Sequence, residues 1–253
     1  EEIYEHQQLV ISTNSMPKED WVKTRAICWM SAFLYFDKLM QIPFMVLRQS
    51  GDISFRELIE AFTDRKIQQF PILSEIHEFF LDAAKEIQNG GAEYSESKKW
   101  LNIWWPADEL QLIHLCTEDR LKAFYQEAEG LLQLVTKEKF VELPSLLIQD
   151  AIRLNQNLIK LPFQTENLKI NLSYNIWEFY QNFLIGIDIP IEETSSDYLI
   201  DRTSDTWSSW EQWCQEVIWY GNKKGAYLYT IQQMKAKVQI SSSHSQQEIA
   251  GHH

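Results

Sequence analysis

The sequence predicts a mainly helical protein with a few short strands, on three observations. Only 8 Gly and 7 Pro occur in 253 residues, beside 10 Trp and 13 Phe, so long elements around a bulky core are favoured over a many-turned sandwich. Apolar residues recur at three- and four-residue steps along most of the chain. Prolines or capping residues followed by acidic side chains precede several of these runs, as at helix starts.

Composition narrows the function classes. With 45% hydrophobic residues the chain can bury a substantial core, which argues against disorder. A formal charge of −13 argues against nucleic acid or an anionic membrane as the main partner, because both reward a basic face. Three widely spaced cysteines, Cys28, Cys116 and Cys214, read as reduced core thiols of a cytoplasmic protein, not a disulfide framework or a metal knuckle. Glu1 and Glu2 stand where a secretory leader would be basic, and His252 and His253 read as a tag remnant.

Taken in order, Gln7–Ser12 predicts one short strand, buried on both faces through Leu9, Val10 and Ile11, whose partners are expected from elsewhere in the chain or from sequence before Glu1. Pro17 with Glu19 and Asp20 opens a helix expected to run to about Leu47, bent or broken near Pro43. Its most apolar run, Ala26–Phe36, is about half of the ~20 residues a bilayer span requires, so a buried helix is expected and no membrane span. After Gly51-Asp52, Ser54 and Glu57 form a capping box for a helix to about Lys66. Pro71 opens the next, with Ile72, Ile76, Phe79, Phe80 and Ala83 on one face and a stop at Gly90-Gly91. His77 reads as surface and His114 as a core histidine.

Trp100–Trp105 predicts an extended approach to a helix opened by Pro106, with Asp108 and Glu109 in its first turn, followed by a helical run over Leu121–Val135. Pro144 opens a further helix through Leu161, Leu168–Leu172 is a short strand, and Tyr174–Ile185 an aromatic helix. Tyr198–Arg202 is a candidate edge strand that pairs with Ala226–Tyr229. Beyond Lys237 the chain is polar and of low complexity.

The densest aromatic stretch, Thr206–Thr230, follows the first of these strands and includes the second. Trp207, Trp210, Cys214, Val217 and Gly221 form a helical stripe capped by Thr206, and Gly221 is expected to end the helix in a left-handed conformation. The turn that follows carries Asn222, Lys223 and Lys224. Two cations at a helix C-terminus suit its dipole, and with Glu216, Trp219 and Tyr220 they form the candidate substrate-binding set. The same pattern fits a packing stripe with a solvated cap.

No phosphate loop, nucleophile elbow or metal-spaced His/Cys cluster occurs in the sequence, and no acidic pair stands out as a catalytic dyad. Two sets of segments nevertheless resemble the C-terminal part of cobalamin (B12)-dependent radical S-adenosylmethionine (SAM) enzymes. QLVIS, SMPKEDWVKTRAICWMSAF and GDISFRELIEAF are similar to that family's last barrel strand, adjoining helix and first C-terminal helices. SSDYLIDRTSDTWSSWEQWCQEVIWYGNKKGAYLY is similar to its closing segment.

The resemblance implies the end of a truncated radical SAM α/β barrel over residues 1–50, a helical C-terminal domain over 51–237 and a tail over 238–253. It implies that this domain covers the barrel and helps to bind a small-molecule or peptide substrate. The parent would hold a [4Fe–4S] cluster, SAM and cobalamin in N-terminal B12-binding and radical SAM domains, and would be a radical methyltransferase. The CxxxCxxC motif that holds such a cluster is missing from these residues, so this chain alone should be inactive. The other expectation is a free-standing, non-catalytic helical module that binds a protein or ligand.

Overall fold

A computed structural model describes residues 8–221 and 227–234. Within them the protein is mainly helical, with two small antiparallel sheets. Pro17 precedes α1 (Lys18–Ser31), whose first turn carries Glu19 and Asp20 beside its free N–H groups. The apolar run widens into a π-helical turn, Ala32–Phe36, that ends at Asp37. Lys38 then takes a left-handed φ of 68°, and α2 (Gln41–Gly51) begins. The helix expected to reach Leu47 is therefore two helices, broken at 37–40 and not near Pro43, which sits in the first turn of α2 where a missing N–H costs little.

The reason for this break lies far along the sequence. Asn155, fully buried, accepts from Ile42 N (3.1 Å) and donates to the carbonyls of Lys38 and Leu39 (2.8 Å each) and to the Tyr125 hydroxyl (2.9 Å). One side chain thus satisfies the backbone groups that the interrupted helix leaves open.

Asp52 caps α2 with a left-handed φ of 47°, and Ser54 and Glu57 make the expected capping box of α3 (Phe55–Ala61). This helix stops short of Lys66 because Asp64 starts a separate 3₁₀ turn, Arg65–Gln69, by accepting from Lys66 N. In α4 (Pro71–Gln88) the buried line is Leu73, Ile76, Phe80, Ala84 and Ile87; Ile72, Phe79 and Ala83 are half-buried at its border. Gly90, with φ of 89°, ends that helix.

The extended approach at Trp100–Trp105 proves to be the second half of a hairpin. Strands β1 (Ser95–Ser97) and β2 (Ile103–Trp105) pair across Leu101 and Asn102, both left-handed. Helices α5 (Ala107–Thr117), α6 (Leu121–Glu138), α7 (Ser145–Leu158) and α8 (Ile176–Leu184) follow. The main sheet has the order β3 (Leu168–Tyr174), β4 (Glu193–Asp201), β5 (Thr230–Gln233), so the expected edge strand is central. Tyr198–Asp201 pairs with Thr230–Gln233 and not with 226–229, of which Ala226 lies outside the described residues. Tyr227–Tyr229 is held instead by the end of α7: Lys160 N donates to Tyr227 O (2.9 Å) and Tyr229 N to Leu158 O (2.7 Å).

α1 packs on α4 and α5, α4 on α6, α6 on α7, and α7 on α2 and β3, so residues 18–51 share one core with the rest. Phe33, on the π-helical turn, meets Phe80 and Phe124 edge-on at 5.9 Å each. Ala26–Phe36 is part of this core, and no helix among the described residues is long and apolar enough to cross a membrane. The expected strand at 7–12 is the main departure. Residues 8–12 have no strand pairing, and Leu9 and Val10 are 39% and 71% exposed, because no neighbouring strand among the described residues reaches them.

Candidate functional site

The aromatic stretch forms a helix that starts later than expected. Ser209, not Thr206, caps α9 (Trp210–Trp213) by accepting from Gln212 N at 3.1 Å, and the helix widens to π over Cys214–Trp219. Of the expected stripe, Trp207, Cys214 and Val217 are buried while Trp210 is half-buried; Trp213 and Ile218 complete the buried face, and Trp213 Nε1 donates to Lys160 O at 2.9 Å. Gly221 is not left-handed. A Cβ there would stand 1.9 Å from the Val217 carbonyl oxygen, so close approach to the preceding turn is what requires glycine.

Of the predicted site residues, Asn222, Lys223 and Lys224 lie outside the described residues. Glu216 points back along the helix: it accepts from Trp207 Nε1 (3.1 Å) and Gln212 Nε2 (3.0 Å), away from the turn it was expected to approach. Trp219 is half-buried and meets Trp105 edge-on at 5.5 Å. Tyr220 is 50% exposed.

That Trp219–Trp105 contact leads to a group of residues that sequence reasoning did not assemble. Trp105 and Pro106 deliver the chain into α5, which packs against both π-helical segments and carries Asp108 and Glu109 in its first turn. Asp37, at the end of the first π-helical turn, and Tyr227, where the chain re-enters the described structure, face these carboxyls. Asp37 and Tyr227 are 3% and 2% exposed. The Tyr227 hydroxyl lies against the Asp37 carboxyl as its donor, a contact that favours the Asp37 anion and the neutral phenol.

Helix ends sort the charges in this cluster. Asp37 sits at a helix C-terminus, where an anion is disfavoured. Burial, then the negative charges of Asp108 and Glu109, push its carboxyl well above the usual aspartate range. Asp108 is also raised by burial, but backbone N–H groups at the start of α5 and the nearby Arg25 guanidinium favour its anion. Burial and the same carboxyls push the Tyr227 phenol up. The result is a carboxyl and a phenol whose charged forms are both disfavoured by burial and by a negative field.

Two other polar sites hold internal ion pairs. A cavity of about 430 Å³ between α7 and β3 contains Asp150, which accepts from Arg153 (2.6 Å) and Ser173 N (2.6 Å). In a cleft of about 390 Å³ between α4 and α5, Arg120 grips Glu75 with two bonds of 2.8 and 2.6 Å. His114 lines that cleft and is half-buried, not enclosed in the core; His77 is half-buried too, and burial lowers the pKa of both.

The three cysteines do not converge as cluster ligands. Cys28 is exposed on α1, whereas Cys116 and Cys214 are buried and their thiols are pushed up by burial, Cys214 to about 12, against the thiolate that iron needs. Among the described residues no group of His, Cys, Asp or Glu is placed to hold a metal ion. Compared with known proteins, the chain matches no protein-family model and no curated protein.

Proposed function

We propose that this chain is the C-terminal, barrel-covering and substrate-binding domain of a cobalamin-dependent radical SAM enzyme, whose parent methylates a natural-product, peptide or lipid substrate. The observation that carries this is the segment before α1. Leu9-Val10-Ile11 is apolar, with Leu9 and Val10 exposed and its backbone outside any sheet. Such a segment fits a strand that pairs with neighbours outside the described residues, as the resemblance implies for the last strand of a barrel. The closing segment supports the same reading through its buried Trp helix and the basic residues Lys223 and Lys224 that follow it in sequence.

The thiols described above do not fit a [4Fe–4S] cluster, so the cluster, SAM and cobalamin belong to other domains of the parent under this reading. The test is the coding sequence before Glu1, expected to encode CxxxCxxC. A start codon directly before Glu1 would overturn the proposal and leave a free-standing helical binding module. Anaerobic reconstitution of the isolated chain should yield no cluster; iron at about one [4Fe–4S] per chain would also overturn it.

A further inference from the structure

We propose that the cleft between α4 and α5 binds the guanidinium group of a small organic cation, with Gln111 as a buried acceptor. The inference is independent of the family reading. It starts from Gln111, which is only 4% exposed, lines the cleft and makes no side-chain hydrogen bond among the described residues. A buried amide is ordinarily tolerated only when it is bonded, so a partner entering from the cleft completes the arrangement. With a volume of about 390 Å³ the cleft is large enough for a small molecule.

Each helix turns one stripe to this space. Glu75, Glu78, Phe79 and Asp82 recur at three- and four-residue steps on α4, and Gln111 and His114 do so on α5, with Glu118 at its end. Four carboxylates face the single guanidinium of Arg120, so the lining is negative and favours a cation. Burial lowers the His114 pKa, so its imidazole adds an acceptor and no competing charge.

The class of cation follows from the acceptors left open. Arg120 donates to Glu75 through bonds of 2.8 and 2.6 Å and lies 3.6 Å from Glu118, so the protein's own guanidinium already uses these two carboxylates. Glu78 and Asp82 are exposed and bond only within their own helix, to Ser74 (3.3 Å) and Lys85 (2.8 Å), which leaves lone pairs free on that wall. Gln111 and His114 stand on the other wall. A guanidinium spreads its N–H donors along a planar fork that can address both walls, and its flat face suits the half-buried Phe79 ring, whereas an ammonium is a compact point charge. Among the described residues the carboxylates and imidazole are not placed to hold a metal ion.

The test is a titration of the ¹⁵N-labelled chain with ethylguanidinium chloride at low ionic strength, read by NMR. The Gln111 side-chain amide and the backbone amides of 75–82 and 111–118 should shift with a dissociation constant on the order of 1 mM, reasonable for so small a probe. Ethylammonium chloride at the same ionic strength should bind at least about tenfold more weakly. Gln111→Leu removes the unpaired amide at similar volume, so urea unfolding should show no loss of stability while binding weakens about tenfold. Glu78→Gln with Asp82→Asn, both at exposed positions, should weaken binding to a similar degree, whereas Glu142→Gln, an exposed carboxyl elsewhere, should change nothing. An unshifted Gln111 amide at up to about 20 mM ethylguanidinium overturns the proposal, as does equal affinity for the two cations. Undiminished binding in Gln111→Leu overturns it too, and should that chain not fold, undiminished binding in the Glu78→Gln, Asp82→Asn chain does so.

Discussion

Asp37 and Asn155 are the residues on which the most local structure depends. Asp37 has a raised folded-state pKa, so the folded protein binds more protons than the unfolded one above the ordinary aspartate value of 3.8. Its contribution is a destabilisation that grows as pH rises from about 4 through the folded-state pKa, and Asp108 acts with the same sign. Asp37→Asn should therefore raise stability at pH 7 and change it little at about pH 3, as read by urea unfolding at both values. An equal effect at both would remove the ionisation account. Asn155→Ala should cost about 2–3 kcal/mol, because Ile42 N–H and the Lys38 carbonyl lose their partner at ~1–3 kcal/mol each, whereas the Leu39 carbonyl keeps the Tyr125 hydroxyl at 2.8 Å. A loss below about 1 kcal/mol in chemical denaturation would mean that the break at 37–40 holds without it.

Among the elements, the Ser54–Glu57 capping box carried its meaning directly from sequence to structure, because that cap is a contact between near neighbours, whereas the cap expected at Thr206 is made by Ser209. Ser54→Ala should cost about 1 kcal/mol, the usual value for losing an N-cap side chain, and a neutral result would show that Glu57 alone holds that end. The end of the Trp helix is different: glycine is required there by crowding and not by φ. Gly221→Ala should cost about 1–3 kcal/mol, since the new Cβ would collide with the Val217 carbonyl. Gly90→Ala, at φ of 89° with open space around it, should cost only about 1 kcal/mol. Thermal midpoints that rank these two the other way would refute the crowding argument. The π-helical segments at 32–36 and 214–219 left no mark in the sequence, because three- and four-residue apolar spacing accommodates a widened turn.

At the scale of the whole molecule, the prediction concerns the parent that the proposed function implies. Lys223→Ala with Lys224→Ala in that parent should weaken binding of an anionic substrate by about 1–3 kcal/mol if both lysines make charge-assisted hydrogen bonds. Raising the salt should mimic the change, because screening weakens the same contact. Unchanged affinity at both salt concentrations would assign the turn to structure alone.

By itself the sequence determined the helical class, the helix starts at Pro17, Ser54, Pro71 and Pro106, and most of the Trp stripe as a packed face, since each is set by spacing within a few residues. Glu216, Trp219 and Tyr220 were visible as a group on one helix, but the directions of their side chains were not: Glu216 turns to Trp207 and Gln212 because those donors lie behind it. Only the tertiary structure decided that β4 is central, that Tyr227–Tyr229 belongs to the end of α7, and that the helix breaks at Asp37 under the hold of Asn155. The same is true of the carboxyl cluster. Asp108 and Glu109 read as ordinary first-turn acids and Asp37 as a polar stop after an apolar run. Their chemistry arises from burial and mutual repulsion, which come from packing between segments far apart in the chain.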